Sequence, residues 1–183
     1  YNYPDALALV TKTVNDHARG YIRNKPLFIA LDGITDPRNL GAIIRAASAF
    51  NAHGVIIPER RSVGMTASAW KTSAGAATRV PVAKASNLTQ TLKAIKEAGV
   101  FVVGLDGGGD VSLPGLALAT EPVCLVVGAE GKGLSRLVRD TCDQIVSIPI
   151  SSDLESLNAS MAVGISLYEI ASLRANWRNP ESS

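Results

Sequence analysis

Two stretches decide the fold: Leu27-Phe28-Ile29-Ala30-Leu31-Asp32-Gly33, and Asp36-Pro37-Arg38-Asn39-Leu40-Gly41-Ala42-Ile43-Ile44-Arg45 running on to Phe50. The five apolar residues 27–31 read as a strand buried on both faces. Asp36 then supplies an N-cap, and Pro37 takes the first helical position, where a missing N–H does no harm. Leu40, Ile43, Ile44, Ala47 and Phe50 recur at intervals of three and four, the buried stripe of a helix over 37–50. Val55-Ile56-Ile57 follows as a second strand.

The alternation continues outward from this unit. Val/Ile-rich runs at 100–105, 123–127 and 145–150 are further strands, bounded by Gly, Pro or Asp. A helix over 88–98 stops at Gly99, and the longest helix spans 158–173. Strand alternating with helix predicts an α/β domain with a mostly parallel sheet flanked by helices. Residues 1–25 are expected to form an extension with its own helix, ahead of a domain over 26–175. The tail 176–183 is expected to fray.

At 183 residues, 46% hydrophobic and 19% charged, the chain fits one ordered domain. No stretch reaches the ~18 uninterrupted apolar residues of a membrane helix. The opening Tyr1-Asn2-Tyr3-Pro4-Asp5 lacks the pattern of a signal peptide and carries no Met, so the chain reads as a fragment or a processed product. A net charge of +2 permits a polyanionic partner without requiring one. Cys124 sits in an apolar run and reads as a buried small hydrophobe; Cys142 stands far from it in sequence. Neither belongs to a metal-ligand pattern, so no metal site is expected, and the cytoplasm is the default compartment.

Ligands of open parallel sheets bind outside the carboxyl ends of the strands, so the loops there matter most. Three are unusual: Gly104-Leu105-Asp106-Gly107-Gly108-Gly109-Asp110, Gly128-Ala129-Glu130-Gly131-Lys132-Gly133-Leu134-Ser135, and Ile148-Pro149-Ile150 running to Ser156-Leu157-Asn158-Ala159-Ser160. Gly128 and Gly133 have P-loop spacing, but Leu134 stands where the lysine belongs. No loop reads G-x-G-x-x-G after the first strand, so an ordinary dinucleotide site is not expected. The glycines can be simple tight turns, or places where backbone closely approaches a ligand. Other polar residues have equally plain readings. Arg45 can be a solvated arginine on the polar face shared by Arg38, Ala42 and Ala49. Glu130 can be a carboxylate near a helix N-terminus, and Ser156 or Asn158 can be helix caps.

Taken together the segments resemble the SpoU (TrmH-type) family of RNA ribose 2′-O-methyltransferases, of the knotted SPOUT superfamily. The likeness covers residues 27–173 through three motifs in order: 36–45, 127–134, and 148–150 with 156–160. It implies S-adenosyl-L-methionine as cofactor and an RNA 2′-hydroxyl as acceptor. It also implies a C-terminal trefoil knot and a homodimer whose site uses both subunits, with Met161, Ile165, Leu167 and Tyr168 on the apolar surface of the last helix. Carried over residue by residue, it puts Leu105, Gly107, Gly128, Ile148, Leu157 and Asn158 at the cofactor. Arg45, Asn39, Glu130, Ser156 and Asn158 form the catalytic set, with Arg45 nearest the hydroxyl.

A guanidinium yields its proton only above pH ~12, so Arg45 is better suited to stabilising a developing alkoxide or orienting a phosphate than to acting as a base. Asn39 would position Arg45 or the RNA backbone. Arg60, Arg61, Lys71, Arg79, Arg136 and Arg139 could extend an RNA footprint. The family also implies an N-terminal RNA-recruiting domain, of which residues 1–25 would be the remnant linker. The expected substrate is a guanosine of 23S rRNA. The rival readings are a tRNA ribose methyltransferase, an RNA-binding assembly factor that has lost the transfer, and a flavodoxin-like nucleotide binder.

Overall fold

The computed structural model describes residues 2–60 and 64–174; Arg61 and the tail 176–183 lie outside the described residues. Its centre is a seven-stranded, all-parallel sheet of β1 (Leu27–Asp32), β2 (Gly54–Pro58), β3 (Val82–Ala85), β4 (Phe101–Leu105), β5 (Val111–Ser112), β6 (Val123–Gly128) and β7 (Gln144–Ser147). The spatial order is β3-β2-β1-β6-β4-β7-β5. Among the described residues six α-helices flank the sheet: α1 (Ala6–Ala18), α2 (Pro37–Ala49), α3 (Ala67–Ser73), α4 (Leu88–Glu97), α5 (Arg136–Thr141) and α6 (Ala159–Leu173).

The central strands are buried throughout, save the half-buried Asp32 at the end of β1, as helices on both faces require. One core joins α2, α6 and Ala69 of α3 to Leu27, Ile29, Leu31, Leu125 and Val127. The other joins α1, α4 and Val138 of α5 to Phe28, Ala30, Cys124 and Val126. Neighbouring residues of β1 and β6 therefore serve opposite cores, which is what the two-residue period of a strand dictates.

The α2 reading holds in detail. Asp36 accepts from the Arg38 N–H at 2.8 Å, and that bond holds its carboxyl below the usual range. Leu40, Ile43, Ile44 and Ala47 are buried, and half-buried Phe50 meets Tyr168 edge-on at 6.0 Å. Gly41 has a packing reason: a Cβ there would lie 2.6 Å from the Thr72 Cβ and 2.7 Å from the Ala69 carbonyl oxygen, so it lets α3 close on α2.

Several boundaries differ from the sequence expectation. The run 145–150 is a strand only to Ser147; there its partners end, and Pro149 has no N–H to continue a ladder. Val100 precedes β4, and Asn158 is the cap of α6 rather than its first residue. Strands β3 and β5 were not expected, the first carrying one β-branched residue and the second only two residues in all. Nor were α3 and α5, each under eight residues and too short to show a helical period.

The first helix is packed, not free. Ala6 and Val10 are fully buried in the second core, and the Lys84 N–H donates to the Pro4 carbonyl at 2.9 Å on the outer side of β3. Tyr3 receives the Met65 N–H on its hydroxyl at 2.6 Å and carries the Lys84 ammonium over its ring. Among the described residues, no helix is long and apolar enough to cross a membrane.

Candidate active site

The sheet order brings three loops together. Strands β4, β6 and β7 end side by side, with Leu105 opposite both Val127 and Val146. The loops leaving those ends enclose a cavity of about 400 Å³, the size of a small-ligand site. Leu105, Asp106, Gly107 and Gly108 form one wall and the run Val127 to Gly133 another. The third comes from Val146, Ile148 and Ile150, then Glu155, Ser156, Leu157, Ala159 and Ala162. Apolar side chains make its floor, while Asp106, Glu130 and Glu155 contribute carboxylates against one ammonium, that of Lys132.

The glycines divide into two kinds. At Gly128 a Cβ would stand 1.9 Å from the Gly133 carbonyl oxygen, because the loop folds straight back on it through an Ala129–Gly133 bridge. Gly133 itself has φ +64 and lies against the Asp106 carboxylate, and Gly131 has φ +80. Gly128 and Gly133 answer to the chain's own packing, and Gly131, with nothing within 4 Å of its missing Cβ, to its backbone conformation. Gly107 is different: it is exposed, its φ is ordinary, and nothing lies within 4 Å of its missing Cβ.

Of the residues singled out in the sequence, Leu105, Gly107, Gly128, Glu130, Ile148, Ser156 and Leu157 all line this cavity. Asn158 does not; its Oδ1 accepts from the Ser160 N–H at 3.0 Å and the Ser160 hydroxyl at 2.5 Å, the capping role. Asn39 and Arg45 stand on α2 outside the cavity lining, Asn39 half-buried and Arg45 exposed. Among the proposed footprint cations, Arg60 and Lys71 are exposed, Arg79 donates to the Ser48 hydroxyl at 3.2 Å, Arg136 lies 3.9 Å from Asp140, and Arg139 pairs with Asp106 at 2.9 Å. Lys132 and Ile150 belong to motifs read in the sequence but were not assigned to the site, and Asp32 and Glu155 were not singled out at all; a carboxylate at a strand's end has no sequence signal apart from its position.

On α6, Met161, Ile165 and Tyr168 are exposed, Met161 by 58% and Tyr168 by 47%. Leu167, expected with them, is instead fully buried in the core, since it sits six positions beyond Met161 and turns to the other face. Cys124 is buried as expected, and burial pushes its thiol far up. Among the described residues no group of three His, Cys, Asp or Glu converges to hold a metal.

Comparison with known proteins decides the family. The SpoU rRNA Methylase family matches residues 26–168. This chain belongs to it. An uncharacterised tRNA/rRNA methyltransferase of Mycolicibacterium smegmatis is 62% identical over 81% of the chain and 47% of that protein. The chain thus spans about half the length of the curated relatives it matches. The SpoU methyltransferase AviRb from Streptomyces viridochromogenes, solved in complex with AdoMet, superposes with a TM-score of 0.75 at 32% identity, covering 85% of this chain and 63% of that one. A solved RNA 2′-O ribose methyltransferase gives 0.72 at 27% identity, over 82% and 58%. In this SpoU chain β7 lies between β4 and β5, so the segment after β6 enters the region spanned by the β4–β5 connection. The trefoil knot follows from membership.

Proposed function

We propose that the chain is the catalytic portion of an S-adenosylmethionine-dependent RNA ribose 2′-O-methyltransferase that acts on a guanosine of 23S rRNA as a homodimer. The observation that carries this is the convergence of two of the three family motifs, with the glycine loop after β4, on one cavity at the carboxyl end of the sheet. The residues present fit the cofactor. The apolar floor of Leu105, Val127, Val146, Ile148 and Leu157 suits a flat adenine, and the excess of carboxylates suits a sulfonium cation. When bound, S-adenosylmethionine supplies an electrophilic methyl, whose C–S bond breaks as the new O–C bond forms.

The chain's own part is positioning and charge. The loops of the cavity hold one partner rigidly, which in-line transfer needs. The ribose hydroxyl must lose its proton and bear developing negative charge on oxygen. Arg45 offers a permanent cation for that charge or for a flanking phosphate, with the proton passing to solvent. Asn39, six positions earlier on α2 and so turned to another face of that helix than Arg45, orients the RNA backbone. Ser156 and Glu130 hydrogen-bond to the reacting groups, and Asn158 fixes the start of α6.

Asn39 and Arg45 stand outside the cavity of their own chain, while α6 exposes Met161, Ile165 and Tyr168 beside α2. Pairing of two copies through α6 would cover that apolar face and bring Arg45 to a site. Transfer of a labelled methyl to 23S rRNA, compared with tRNA, tests the reading: incorporation at a 2′-oxygen of rRNA supports it, transfer to tRNA alone replaces the substrate, and binding of RNA without transfer replaces the enzyme. Replacing Arg45 by Lys is expected to lower activity by about 100-fold across pH, as loss of one transition-state donor does. Near-full activity would show that the guanidinium fork is dispensable.

A further inference from the structure

Gly128 is flanked on both sides by an aspartate. Asp32 of β1 lies directly opposite it, and Asp106 follows Leu105, the partner of Val127. Both carboxylates reach forward onto the loop after β6. The Ser135 N–H donates to Asp32 Oδ2 at 2.7 Å. The Arg139 guanidinium sits 2.9 Å from Asp106 Oδ2, whose other oxygen accepts the Gly108 N–H at 3.0 Å. The same Oδ2 occupies the space a Gly133 Cβ would need, 2.7 Å away. Asp106 is about three-quarters buried, which spares its ion pair much of the screening an exposed pair suffers.

We infer that Asp32 and Asp106 are positioning residues that clamp the 128–135 loop from opposite sides, so that the cavity wall is formed before any cofactor arrives. The inference rests on the cofactor reading proposed above. The loop needs such a clamp: Gly131 and Gly133, both at positive φ, make a chain with large conformational freedom to lose, and its own hydrogen bonds are the short Lys132 and Gly133 N–H contacts to the Ala129 carbonyl. Asp32 fixes the point where the loop becomes α5. Asp106, through Arg139, ties α5 to the other glycine-rich wall. Two walls of one cavity thereby move as one body, and the rigidity lowers the ordering cost of binding.

Arg139 is the discriminating residue, because it does not line the cavity. Removing it loosens the clamp while leaving the Asp106 carboxylate in place. The experiment uses the full chain: Asp32→Ala, Asp106→Ala, Arg139→Gln and Arg139→Lys, followed by hydrogen exchange without ligand and calorimetric titration with S-adenosylmethionine. Loss of a charge-assisted bond is expected to speed exchange of the 129–135 amides by about tenfold, with β1 and β6 unchanged. Arg139→Gln should weaken cofactor binding by about tenfold and Arg139→Lys by only about threefold. Unchanged loop exchange, or a uniform rise throughout the sheet, would overturn the clamp. So would an Arg139→Gln chain that binds like the wild type while Asp106→Ala does not, since Asp106 would then act by direct contact. If the wild-type chain binds no S-adenosylmethionine, the cofactor reading fails, and loop exchange alone still decides the clamp.

Discussion

The two ends of the parallel sheet are built in opposite ways. At the amino end, side chains close off the backbone. Arg174 donates to the carbonyls of Lys25, Pro26, Ala119 and Glu121, tying the end of α6 to the entries of β1 and β6. His53 Nδ1 takes the Leu27 N–H at 3.1 Å, and Asp143 takes the Val102 N–H at 2.8 Å while pairing with Lys96 at 3.5 Å. At the carboxyl end, the loops surround an open cavity, whose lining carries more carboxylates than cations. If the cavity holds the cofactor as proposed, one end serves stability and the other binding, and substitutions at the two should separate folding from binding.

The largest expected effect tests the boundary of that division. Gly128 lines the cavity, yet its lack of a side chain answers to the Gly133 carbonyl and not to a ligand. Alanine there must push backbone aside, at the upper end of overpacking costs, ~3 kcal/mol or more. Urea melts of Gly128→Ala should show this loss, together with lost cofactor binding. A variant of native stability would mean that the loop yields freely, and the crowded turn would not be the reason for the glycine.

At the opposite end, Arg174→Ala strips a cation from four carbonyls and is expected to cost ~3 kcal/mol, as hydrogen bonds to charged groups do. Cofactor affinity of the folded fraction should stay within about twofold, since additive behaviour holds for separated sites. A large change in affinity would mean that the two ends are coupled through α6.

His53 supplies a pH test of the same end. Burial, with Arg174 and His17 nearby, lowers its pKa from 6.5 to about 4. The unfolded chain therefore binds more protons between those values, and stability rises with pH across the window. The contribution is complete above pH 6.5 and disappears as pH falls towards 4, a change of ~2 kcal/mol after allowance for partial burial. Melts at steps between those limits should trace this slope, and His53→Gln should flatten it.

How much of this was written in the sequence differs with the kind of residue. The buried strands β1 and β6 were legible as unbroken apolar runs, the stripe of α2 because its period persists over several turns, and Asp36-Pro37 because that pair marks a helix start. Strand β3, with Val82 as its one β-branched residue, exists because Val55 to Pro58 offers an edge to pair with. The three loops of the cavity were legible as unusual composition after strands. Their glycines were not separable there, since a positive φ, a backbone collision and an open wall all appear as the same letter. Asp32 and Asp106 acquire a function only from lying either side of β6, an adjacency created by residues about 20 to 100 positions away, beyond any local pattern. Leu167 shows the converse: its place in a hydrophobic helix was evident, but which face it took depended on what α6 packs against.

Gly107 gives the smallest effect on folding and the finest test of the comparison. It lies on the same cavity as Gly128, but a Cβ there meets no atom within 4 Å and no positive φ is imposed. Gly107→Ala should therefore leave the melting curve within ~0.5 kcal/mol of wild type, since alanine also reduces the freedom of the unfolded chain. Any penalty must then come from what enters the cavity. If the backbone at Gly107 approaches the cofactor closely, the added methyl should weaken binding by about tenfold, the size of one steric mismatch in a packed site. Calorimetry on Gly107→Ala and Gly128→Ala side by side makes the distinction sharp, with one variant stable and poor at binding and the other poor at both. Undiminished binding by Gly107→Ala would place the ligand against the β6 loop and the α6 entry, leaving the β4 loop as a solvent-facing rim.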